Sequence, residues 1–79
     1  MIRTARDVKR ARAQLGMTVN ELRDALRLSP KTGGRAIRRW ETGQVPITGP
    51  AAVAMEAMLA GYEPEQYYPD EFEDDYEIY

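Results

Sequence analysis

The sequence predicts an all-α fold, a small helical bundle, and three observations carry the prediction. Three segments hold apolar residues at helical spacing, a fourth is apolar on all sides, and capping residues, glycines and prolines divide the four. The chain has 79 residues, one small domain near the size at which a single core only just suffices and a partner subunit often completes the burial.

The first helix starts after Thr4, a capping residue, and runs to about Leu15, with Val8, Ala11 and Leu15 on a narrow apolar stripe and Arg6, Lys9 and Arg10 outside it as a solvated face. Gly16 ends it. Arg12 falls at the edge of the stripe, where a partly buried charge needs a carboxylate partner, and Glu41 is the candidate. Thr18 and Glu21 have the spacing of a capping box and open a second helix that buries Val19, Leu22, Ala25 and Leu26. The Ser29-Pro30 pair closes it, because the residue before proline avoids helical geometry.

Residues 29–34 are then a turn, with Thr32 as the cap of a third helix and Gly33-Gly34 allowing close approach of its backbone to another surface. On that helix Ala36, Ile37 and Trp40 gather within about 100° of one another, while Arg35, Arg38, Arg39 and Thr42 gather on the far side. Ile37 and Trp40 are core anchors. A planar guanidinium can bond two acceptors of guanine or grip phosphate oxygens, so three arginines on one offered face suit nucleic acid. Composition alone leaves a merely solvated basic surface as the alternative. Gly43 stops the helix, and Pro50 suits the first residue of a fourth, running to about Ala60 before Gly61. Between Ala51 and Ala60 only Glu56 is polar, so this helix must bury two faces, one in the core and one against a twin subunit or the tail.

Charge divides the chain in two. All eleven Lys and Arg lie between Arg3 and Arg39, whereas residues 1–62 hold five acids, for a net +6; the other eight acids, from Glu63 to Glu77, give a tail of −8. Six of the seven aromatics fall in the last eighteen residues, at Tyr62, Tyr67, Tyr68, Phe72, Tyr76 and Tyr79, interleaved with those acids. A purely solvating tail would have few rings, so these want a surface. The division is residues 1–61 as the folded domain and 62–79 as an acidic, aromatic tail. The tail lacks the glycine and terminal spacing of an EF-hand calcium loop. No cysteine or histidine is present, which removes disulfides, thiolate nucleophiles, the usual zinc ligands and the commonest general base. No cofactor, metal or catalysis is expected. With no apolar leader or membrane span, the expected location is cytoplasmic.

The runs Arg12-Ala-Gln-Leu-Gly-Met-Thr18, Glu21-Leu22, Ile37-Arg-Arg-Trp-Glu-Thr-Gly43 and Pro46-Ile-Thr-Gly-Pro-Ala-Ala-Val53 resemble the lambda-repressor-like (Cro/repressor) helix-turn-helix family across residues 4 to 61, and most of all its small phage and prophage regulators. The resemblance implies four or five helices, the second and third forming the helix-turn-helix, a homodimer, and repression of a nearby promoter. It places the reading helix on Gly33 to Thr42 and the family's arginine–glutamate pair on Arg12 and Glu41. Lys31, Thr32, Gly34, Arg35, Arg38, Arg39 and Thr42 form the expected DNA-binding set, with Lys31 and Thr32 suited to phosphates. Two positions depart from the family pattern: Val19 stands where a phosphate-contacting glutamine is common, and Arg23 where helix two usually has alanine. The rival expectation is a protein-binding inhibitor or adaptor whose acidic, aromatic tail mimics DNA.

Overall fold

The computed structural model describes residues 1–64, which form four helices and, among the described residues, no strand: α1 (Ala5–Leu15), α2 (Val19–Ala25), α3 (Gly33–Thr42) and α4 (Gly49–Leu59). The tail aromatics from Tyr67 onward and the acids from Glu65 onward lie outside the described residues. No helix among the described residues is long and apolar enough to cross a membrane.

Local sequence accounts for each start. The Thr4 hydroxyl accepts from the Asp7 N–H, and the Asp7 carboxylate accepts from the Thr4 and Arg3 N–H groups, a reciprocal box at the head of α1. Those backbone donors, Thr4 first, hold the Asp7 carboxyl below its ordinary range. The expected Thr18–Glu21 box opens α2 in the same way. Pro50 lies in the first turn of α4, where its missing N–H is no loss.

The junction of α2 and α3 differs from the reading of the sequence. Helix α2 ends at Ala25, not at Ser29-Pro30, because Arg27 turns into the left-handed region at φ 60°. There Arg27 N–H donates to Asp24 O and Leu28 N–H to Arg23 O, the two bonds of a Schellman ending. The other three helices end with the same pair of bonds around Gly16, Gly43 and Gly61. An arginine at this position hides the signal that glycine displays elsewhere. Ser29-Pro30 instead begins the approach to α3: the Ser29 hydroxyl accepts from Lys31 N–H at 3.2 Å and its carbonyl from Gly33 N–H at 2.7 Å. Thr32 precedes α3 as expected, but its side chain makes no capping bond.

The core is assembled around α3, which packs on both α1 and α2, while α4 closes against α1. Val8, Leu22, Ile37 and Met55 are fully buried, one from each helix, each contributing roughly 1.5–3 kcal/mol of burial. Trp40 and Ala11 join them, and so does Ile2, which the sequence reading left outside the helices. Its N–H donates to Glu56 Oε2 at 2.7 Å, so the single polar residue in the body of α4 pins the N-terminal arm. Met55 belongs wholly to the core, and the large apolar residues of α4 left exposed are Val53 and Leu59.

Arg12 and Glu41 form the expected pair, and it is bidentate. Arg12 Nε lies 2.5 Å from Glu41 Oε2 and Nη2 3.1 Å from Oε1, while Nη1 donates to the Met17 carbonyl at 3.1 Å. Glu41's hydrogen bonds raise the guanidinium pKa further. Removing one partner strands the other. Glu41→Ala should lower stability by ~2–4 kcal/mol in denaturant titration, toward the low end for a broken buried pair because 23% of the Arg12 side chain stays exposed. Arg27→Gly relieves a left-handed backbone worth ~1 kcal/mol but gives up the bond from Arg27 Nη1 to the Asp24 carbonyl at 3.1 Å, so stability should rise by less than that, read as a higher midpoint at unchanged slope.

Candidate nucleic-acid interface

Helix α3 divides its side chains as its sequence dictates. Ile37 is fully buried and Trp40 is 5% exposed, so both are core anchors, and they hold Arg35, Arg38 and Arg39 outward on the exposed face. Lys31 and Thr32 are exposed immediately before the helix. None of the three arginines, nor Lys31, makes an ion pair among the described residues.

The reason lies in how the acids are used. Asp7 and Glu21 complete capping boxes, Glu56 holds the Ile2 N–H, Glu41 binds Arg12, and Asp24 accepts from Arg23 Nε at 2.8 Å. Every carboxylate up to residue 62 is thus committed to the fold. Among the described residues the arginines of α3 are therefore left without an ion pair, able to meet carbonyl, ring-nitrogen or phosphate acceptors without first breaking a bond seen there.

Not all of the expected set shares this face equally. Gly34 is half-buried against α2, where an added Cβ would lie 3.6 Å from Val19 Cγ1. Thr42 is exposed, and its hydroxyl donates to the Arg39 carbonyl at 3.3 Å. Arg23 faces the junction: besides Asp24, it donates weakly to Asn20 Oδ1 and the Pro30 carbonyl, both at 3.4 Å.

Arg23 also explains Gly33. A Cβ on Gly33 would stand 2.6 Å from both Arg23 Cγ and Leu28 Cβ, so glycine is required where the start of α3 crosses the arginine stem. A long side chain on α2 thus meets a residue with none on α3. The expected close approach of this glycine pair is therefore to α2, and the pairing sets how the arginine face is presented. Only the double glycine hinted at it, since nothing local in the sequence identifies the opposing surface. Gly33→Ala should destabilise by ~1–3 kcal/mol, the range for overpacking, and shift amide NMR signals of both Arg23 and Leu28.

There are no metal-binding groups of three or more His, Cys, Asp or Glu among the described residues. Compared with protein-family models, with curated proteins and with solved structures, the chain matches none.

Proposed function

We propose that this chain is a sequence-specific double-stranded DNA-binding protein, a homodimeric transcriptional repressor in which α2 and α3 act as a helix-turn-helix and α3 enters the major groove. One observation carries the reading: Arg35, Arg38 and Arg39 stand exposed on one helix face and make no ion pair among the described residues, while the five acids up to residue 62 are all bound into the fold. The resemblance of residues 4 to 61 to lambda-repressor-like regulators supports the same assignment from the sequence side.

In this mechanism Arg35 and Arg38 read guanine edges or grip phosphates, Arg39 adds a phosphate contact, and Lys31 and Thr32 position the backbone at the helix entrance. Glu41 acts through Arg12, holding the end of α3 against α1. The apolar residues left exposed on α4, Val53 and Leu59, suit a contact with a second subunit, which would place two reading helices about one DNA turn apart, ~34 Å. No catalytic step is involved.

Selection of bound sequences from random duplex DNA at moderate salt tests the proposal. An enriched palindrome supports both the DNA reading and the dimer, and the absence of any enriched sequence rejects sequence-specific binding. Arg38→Ala or Arg35→Ala should weaken the preferred site by ~1–3 kcal/mol and relax preference at one base. Lys31→Ala should weaken all sequences about equally and reduce the salt slope by about one unit. Arginine variants that keep full activity, set beside a tail truncation that abolishes it, would transfer the function to the tail as a DNA mimic.

A further inference from the structure

Where the described chain stops, it stops beside an apolar groove of about 370 Å³ whose walls include Leu15, Met17, Met58, Tyr62 and Pro64. The exit is fixed by backbone bonds. Gly61 N–H donates to Met58 O and Tyr62 N–H to Ala57 O, so the chain leaves α4 in a set direction with the groove beside it. Leu15 and Met17 are only partly buried against the core, and Tyr62 is 61% exposed, so this surface is apolar and uncovered among the described residues. Tyr67 and Tyr68 come three and four residues beyond Pro64, a reach of at most roughly 10–14 Å.

We propose that this groove is the docking site of residues 65–79 of the same chain, with Tyr67 and Tyr68 as its anchors. Two features favour this occupant. The segment begins at the groove's edge, so the entropy lost on docking is that of a short tether. Its first aromatic residues lie at the right reach, and a tyrosine ring suits a surface lined by Met17 and Met58, because thioethers adapt to a ring whose hydroxyl keeps to water. The inference does not depend on whether α3 binds DNA.

The full chain can test it, because it has no cysteine and accepts one unique spin label. A label at Asp70→Cys, in protein with isotope-labelled methionine methyls, should cause loss of the Met17 and Met58 signals while that of Met1, which is 84% exposed, persists. The same labelled chain carrying Tyr67→Ser and Tyr68→Ser should recover both signals. Mixing spin-labelled chains lacking the isotope with isotope-labelled chains lacking the spin label should leave every methyl sharp. Signals that survive in the first sample, equal loss at Met1, or loss unaffected by the two serines would overturn the proposal. Loss in the mixed sample would assign the groove to a second copy and overturn it equally.

Discussion

The bidentate contact between Arg12 and Glu41 is the constraint on which the geometry of this small domain depends. It joins the last turn of α1 to the last turn of α3, and the third nitrogen of the same guanidinium holds the Met17 carbonyl in the turn toward α2. Three elements thereby share one planar group. The fork of arginine matches a carboxylate and still has a donor left for a carbonyl, which a lysine ammonium could not do with the same fixed angles. Apolar burial supplies most of the folding free energy, but it is non-directional. The ion pair adds direction, setting where the C-terminal end of α3 lies against α1.

A domain with so few acids gains from committing all of them. Two carboxylates cap helices, one pins the N-terminal arm, and two neutralise arginines that lie at helix junctions. Each use satisfies a backbone donor or a partly buried cation that would otherwise weaken the fold. The same economy leaves the outer face of α3 positive. Stability and surface charge are therefore two consequences of one distribution of carboxylates, and the candidate interface is the part of the surface from which acids were withheld.

The two ends of α3 show different kinds of control. Its C-terminus is set by Gly43 in the left-handed region, a local device. Its N-terminus is set by a crossing, with Gly33 seated against Arg23 and Leu28 and no side-chain cap. That end carries Lys31, Thr32 and Arg35, so the side of the interface nearest the turn depends on packing between helices more than on helix propensity.

By itself the sequence determined the four helices, the Thr18–Glu21 box, the Gly16 and Gly43 stops, the inward Ile37 and Trp40 with the outward arginines, and the Arg12–Glu41 pair. Periodicity, caps and glycines act within a few residues, and an arginine beside an apolar stripe restricts its own partner. Only the tertiary structure decided that α2 stops at Ala25, ahead of Ser29-Pro30, that Met55 and Ile2 join the core, and that Glu56 holds the chain's beginning. Arg27 adopts a backbone conformation its own side chain does not favour, and Ile2 meets Glu56 across 54 positions of sequence. Such choices are made by the summed packing of the four helices, which can override a local preference of about 1 kcal/mol and which no window of neighbouring residues contains.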